Sequence, residues 1–208
     1  MSELESGDVV LTGMTIREFA QELGSNSPAP GGGSASGLAG ALAASLAKMV
    51  ANLSGEGQEE NIARGQLLAD QLLDLVNQDT DAFNQVMAAF KLPMGSDEEK
   101  QERRQAIQGA TRLATEVPLK IVETSLEVLE LAKEMAFHGN KNALSDAGVA
   151  GLLGVAACRG ASYNVLINLP GLKDAAFVEA TKEHLEKLLL EVDAFEETIG
   201  SHVRSSLS

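Results

Sequence analysis

Apolar residues recur at intervals of three and four along almost the whole chain, the period of an α-helix, and no stretch makes a convincing strand. Thr15 followed by Glu18 is a capping box that predicts a short helix from about Ile16 to Leu23. A long helix is predicted from about Gln58 to Phe90. Ser96 and Glu99 repeat the capping box ahead of a charge-rich helix reaching about Thr115, after which Pro118 either kinks that helix or opens the next. Helical spacing resumes through Val122, Leu126, Leu129 and Ala136 and stops at Gly139. Ser145 and Asp146 start another helix, which Leu169-Pro170-Gly171 ends. Asp174 begins a last one, with Phe177, Thr181, Leu185, Leu188, Val192, Phe195 and Ile199 on its apolar face. Residues 1–13 read as a loose lead-in. The fold class is all-α, a single-domain helical bundle spanning residues 1–208.

The stretch from Ser27 to Ser54 organises the rest. Pro28 and Pro30 keep the chain extended, and Gly31, Gly32 and Gly33 let the backbone approach another group closely. Ser34 or Gly33 can cap the alanine- and leucine-rich helix that follows. That helix carries two stripes: Leu38, Leu42, Leu46, Met49 and Leu53 are large, whereas Gly33, Gly37, Gly40, Ala44, Ala47 and Ala51 are small. With no polar face it is expected to be buried on all sides, its start lining a pocket. A matching small stripe, Ala147, Gly151, Gly154, Cys158 and Ala161, makes the helix after Asp146 its natural packing partner. Two such helices and a long amphipathic one carry more apolar surface than a monomer hides, which predicts a homodimer. Plain packing, without any ligand, is the competing reading of the glycines. GGGS has no Walker lysine and is no Rossmann fingerprint, so a nucleotide site is not indicated. Lys48 and Asn52 interrupt the helix and argue against a membrane span.

One carboxylate is out of pattern. Leu68, Leu72, Leu75, Phe83, Val86 and Phe90 form an apolar stripe whose missing position is Asp79. Asp81 instead shares a solvated face with Asp70 and Asp74. A desolvated carboxylate has a raised pKa and suits proton transfer. The alternative is a structural aspartate bridging two helices.

Charge and composition narrow the classes. A net charge of −14 argues against nucleic acid, fits a soluble cytoplasmic protein and suits a cationic substrate. Aromatic residues are only 3%, which leaves a core of Leu, Ala, Val and Gly and favours close helix packing. A single cysteine, Cys158, excludes an internal disulfide framework. The acidic start MSELESGDVV is not a signal peptide. His184 and His202 would lie roughly 27 Å apart on one helix, so no metal site is expected.

Five stretches carry a resemblance: APGGGSASGLAGALAASLAKMVANL from Ala29, DTDAFNQVMAAFKLP at 79–93, ATEVPL at 114–119, NALSDAGVAGLL at 142–153 and ASYNVLINL at 161–169. In this order they resemble the formiminotetrahydrofolate cyclodeaminase and methenyltetrahydrofolate cyclohydrolase family, over nearly the whole chain. The resemblance implies an all-helical homodimer acting on a one-carbon group that bridges N5 and N10 of tetrahydrofolate. Bifunctional members carry a formiminotransferase domain first; these 208 residues have no room for one and look like the stand-alone members. KLPMGSDEEK and GLKDAAF are closer to the stand-alone cyclohydrolases, so hydrolysis of 5,10-methenyltetrahydrofolate to 10-formyltetrahydrofolate is expected. Cyclodeamination of formiminotetrahydrofolate is the alternative. A non-catalytic helical scaffold is a third reading, which predicts no pocket, Asp79 paired with a basic residue, and no change on adding folates.

Under the resemblance Asp79 is the catalytic base and then acid, with a tetrahydrofolate derivative as substrate and no tightly bound cofactor. Pro30, Gly31, Gly32, Gly33 and Ser34 would bring backbone N–H groups to the ligand. Lys48 either snorkels out of the helix or meets the folate carboxylates. Asn52 and Asn142 would bind the amide edge of the pterin. Ser145 and Asp146 either cap their helix or contact the pterin or its cationic centre.

Overall fold

The computed structural model describes residues 10–208, and all its regular structure is helical. Six α-helices form the bundle: α1 (Ile16–Leu23), α2 (Gly32–Asn52), α3 (Glu59–Phe90), α4 (Asp97–His138), α5 (Leu144–Asn168) and α6 (Ala175–Leu207). Both predicted capping boxes form. The Thr15 hydroxyl accepts from the Glu18 N–H at 3.2 Å, Ser96 accepts from Glu99 at 3.2 Å, and each glutamate reaches back to the cap N–H. Asp174 caps α6 by accepting from the Phe177 N–H at 3.1 Å.

Several boundaries differ from expectation. Residues 1–9 of the predicted lead-in lie outside the described residues, and Leu11–Gly13 forms a 3₁₀ turn whose buried Leu11 packs with Phe19 and Val76. Gly31, not Gly33 or Ser34, is the N-cap of α2, and Ser34 lies buried in its first turn. Pro118 does not divide α4, which runs unbroken for 42 residues. Neither Ser145 nor Asp146 caps α5: the helix begins at Leu144 behind a 3₁₀ turn (Lys141–Ala143) that Asn140 caps.

α2 lies against α3, α4 and α5, and runs antiparallel to both α3 and α5. Gly33 meets Asp79 and Gly65 meets Lys48 along α3; Gly32 meets Asn164 and Gly160 meets Ser36 along α5. The small stripe of α2 is the buried one, with Ala44, Ala47 and Ala51 fully enclosed. The expectation that α2 is buried on every side fails within one chain, because Leu42 is 50% and Leu53 53% exposed. Small residues let a second backbone come close, and the leucines are turned outward. The two predicted small stripes do not face each other, although α2 and α5 do pack. Gly37 and Gly40 meet α3 and α4 through Val76, Leu72 and Ser125, while Gly151 and Gly154 meet Ile199 of α6 and Leu129 of α4. α2 and the stretch Lys141–Gly171 are long and apolar enough to cross a membrane, yet about half of each apolar window is buried within the bundle.

Candidate active site

The start of α2, the second half of α3, the middle of α4 and the end of α5 converge at one end of the bundle. Gly33 is buried there and its absent side chain makes room for a carboxylate. A Cβ at this position would lie 2.1 Å from Oδ1 of Asp79. One residue on, the Ser34 hydroxyl donates to Asp79 Oδ2 at 2.9 Å. Thr80 Oγ1 is 3.1 Å from the same Ser34 oxygen. Since the Ser34 proton is given to Asp79, Thr80 is the donor in that second contact. The hydroxyls form a short chain, Thr80 to Ser34 to Asp79, that holds the carboxylate from one side.

The other side of Asp79 opens on a cleft of about 330 Å³. Phe83 and Val86 continue the α3 stripe along its wall, and Gly31 and Gly32 form the rim on the α2 side. Asn164, Ile167 and Asn168 of α5 close it opposite, with Ala114 of α4 between. Asp79 makes no ion pair among the described residues. Burial pushes its carboxyl above the usual carboxylate range, and the hydrogen bonds from the Ser34 side chain and backbone offset this only in part. A half-buried, proton-hungry carboxylate facing an apolar-walled cleft can take a proton from a bound molecule and return it.

The structure gathers part of the sequence-predicted set here: Asp79, Ser34, Gly31, Gly32 and Gly33, with the buried Pro30 behind the rim. It does not bring the others to this cleft within one chain. Lys48 lies about 22 Å further along α2 at about 1.5 Å per residue, where its ammonium donates to Gln66 of α3. Asn52 is exposed at the far end of the same helix. Asn140 donates to the Leu53 carbonyl at 2.6 Å, which ties the loop carrying Asn142 to that far end too. Ser145 and Asp146 follow on the first turn of α5, where Ser145 borders a separate apolar groove between α5 and α6. Sequence reasoning missed Thr80, Phe83, Val86, Asn164 and Asn168 as neighbours of the cleft. The signal for the first three was their spacing around Asp79; for Asn168 it was Pro118, which leaves a carbonyl without its helical partner.

Comparison with known proteins decides the lineage. The family model described as formiminotransferase-cyclodeaminase matches residues 15–187. The chain belongs to the formiminotransferase-cyclodeaminase family. Within that family it is 39% identical over 203 residues to the methenyltetrahydrofolate cyclohydrolase of Methylorubrum extorquens, covering 93% of this chain and 98% of that protein. It is 37% identical to the formimidoyltransferase-cyclodeaminase of Rattus norvegicus, but spans only 34% of that longer protein. Among solved structures, formiminotetrahydrofolate cyclodeaminase from Thermotoga maritima superposes with a TM-score of 0.84 at 27% identity, covering 94% of this chain and 98% of that one. The protein is therefore an enzyme of the cyclohydrolase/cyclodeaminase family. The scaffold reading fails on its two structural expectations: a cleft is present, and Asp79 has no basic partner among the described residues.

Proposed function

We propose that this folate one-carbon enzyme hydrolyses 5,10-methenyltetrahydrofolate to 10-formyltetrahydrofolate, with Asp79 as base and then acid. The observation that carries the reading is a half-buried carboxylate fixed by Ser34 at 2.9 Å and facing a cleft that, among the described residues, no lysine, arginine or histidine lines. The substrate is itself an amidinium cation and would supply the missing counter-charge. Water adds to the bridging carbon and Asp79 takes one of its protons. Asp79 then gives that proton to N5 as the C–N5 bond breaks, and the remaining hydroxyl proton leaves as the formyl carbonyl forms. One proton is released overall. Gly31, Gly32 and Gly33 would allow backbone approach to the ligand, with Pro30 holding their loop and Ser34 aiming the base. No tightly bound cofactor is needed for these steps.

The likeness to the Thermotoga maritima cyclodeaminase favours a second reading on the same site. There N10 attacks the formimino carbon, Asp79 removes the N10 proton, and ammonia departs after taking it up. The nearly full-length likeness to a cyclohydrolase at higher identity favours hydrolysis. The two separate in one experiment on purified protein. Hydrolysis accelerates the loss of the methenyl chromophore, whereas cyclodeamination releases ammonia from formiminotetrahydrofolate and creates that chromophore. Inactivity in both assays would refute both readings.

The protein is further read as a cytoplasmic homodimer. The support is the exposed apolar stripe of α2, with Leu42 and Met49, beside Val149 and Leu152 on the neighbouring α5. The net charge of −14 supports a small cationic substrate rather than nucleic acid.

A further inference from the structure

Pro118 has no N–H, so the carbonyl of Ala114, four residues earlier in α4, lacks the partner an α-helix would give it. The donor comes from another helix. Nδ2 of Asn168, at the end of α5, donates to Ala114 O at 2.7 Å and also to Asn164 O at 2.9 Å. Both of its amide hydrogens are thereby committed to main-chain carbonyls. This fixes which way the carboxamide is turned, and what Asn168 has left to offer is its oxygen. Asn164 is held similarly, with Nδ2 donating to Gly160 O at 3.0 Å and lying against Gly32. Neither Oδ1 has a hydrogen-bond partner among the described residues, and both side chains line the cleft with Asp79. With both amide hydrogens committed, Asn168 presents only an acceptor to the cleft, and a group seated against it must bring an N–H donor.

We propose that Asn168, pinned by the carbonyl that Pro118 sets free, is a specificity-determining residue accepting a hydrogen bond from the donor edge of the pterin. That edge carries the exocyclic 2-amino group and the adjacent ring N–H. Asn164 supplies a second acceptor beside it. The proline in the middle of a 42-residue helix is thereby a positioning device for a residue on a different helix. The assignment rests on the folate reading above.

The test compares 5,10-methenyltetrahydrofolate with its 2-desamino-2-methyl analogue, in which a methyl group replaces the amine. The wild-type enzyme is expected to prefer the amino substrate about 10- to 100-fold in kcat/KM, the loss from leaving unpaired an acceptor that the bound ligand covers. Asn168→Ala alone would leave the Ala114 carbonyl without a donor, so it is paired with Pro118→Ala, which returns a helical N–H to that carbonyl. The double variant is expected to fold, to raise KM for the amino substrate more than it lowers kcat, and to discriminate between the two ligands by less than about 3-fold. Pro118→Ala alone keeps Asn168 but unpins it, and should raise KM with little change in kcat. A double variant that folds and retains full discrimination overturns the proposal, as does an active wild type with no preference. Pro118→Ala with an unchanged KM overturns the pinning. Absence of both turnover and binding with either ligand overturns the folate reading itself, and with it this assignment.

Discussion

Gly33 and Asp79 occupy a space that only one of them can fill. A Cβ on Gly33 would sit 2.1 Å from one carboxylate oxygen and 2.6 Å from the other. The glycine here serves packing rather than backbone freedom, for it lies inside the first turn of α2. Gly33→Ala must therefore push the carboxylate off Ser34 or move α2 away from α3. The expected outcome is a stability loss on the order of 1–3 kcal/mol from overpacking. Turnover should fall on the order of 100-fold, because the base is displaced by about an ångström. Chemical denaturation and chromophore kinetics on the same preparation measure the two. A Gly33→Ala enzyme with wild-type turnover would remove Asp79 from the chemistry.

The helices were legible because their signals are local. Thr15 with Glu18, Ser96 with Glu99 and Asp174 each mark an N-terminus through residues within one turn. Asp79 stood out for the same reason, interrupting a stripe set by its own helix. What was not legible depends on the other helices. Periodicity shows that α2 has a large stripe and a small one but not which faces inward; hydrophobicity favours the leucines, and close approach of backbones favoured the glycines and alanines. Lys48 and Asn52 share a motif with the glycine loop, yet the helical rise carries them to the other end of the bundle. Pro118 reads locally as a break, and α4 passes through it because Asn168 satisfies the freed carbonyl from α5.

The outward leucines of α2 bear on assembly. Leu42 is half exposed, and Leu152 on the adjacent α5 is 65% exposed. Apolar side chains grouped on neighbouring helices favour association when a second copy covers them. Light scattering of the wild type should report twice the chain mass. Leu42→Glu with Leu152→Glu should shift it to monomer while leaving the helical circular dichroism intact, since neither side chain is in the core. A wild-type monomer at micromolar concentration would argue against the dimer.

A tight contact remote from the cleft provides a comparison for the glycine results. A Cβ on Gly151 would meet Cγ2 of Ile199 at 2.9 Å, where α5 packs on α6. Gly151→Leu should cost on the order of 1–3 kcal/mol or more by overpacking. At a temperature where it stays folded, its KM should match the wild type. Urea midpoints and steady-state kinetics measure the two; an equally stable Gly151→Leu would show that α6 moves aside freely.

Asp79 links activity, stability and pH in one residue. Its carboxyl sits above the ordinary carboxylate range because burial penalises the charged form. A carboxyl whose folded pKa is raised gives the fold its full contribution below the unfolded pKa, and this contribution is lost as pH rises through the folded value. Wherever Asp79 is ionised in the folded protein, its charge is thus a cost to the fold. Asp79→Asn keeps the size and an acceptor for Ser34 while removing the charge. It should raise the Tm on the alkaline side of the folded value, with the advantage shrinking as the pH falls and the wild-type carboxyl takes up its proton. Turnover should drop by ~100-fold to ~10,000-fold, the usual worth of a general acid–base group. The wild-type kcat/KM should decline on the acid side at a pH above that of an ordinary aspartate, because only the anion accepts the proton from water. Asp81→Asn is the control, exposed two residues away on the opposite face, and should leave both turnover and Tm close to wild type. Calorimetry across pH and the pH profile of methenyl hydrolysis are the decisive measurements. A less stable Asp79→Asn protein would mean that the carboxylate is structural, and equal losses at 79 and 81 would remove the catalytic assignment.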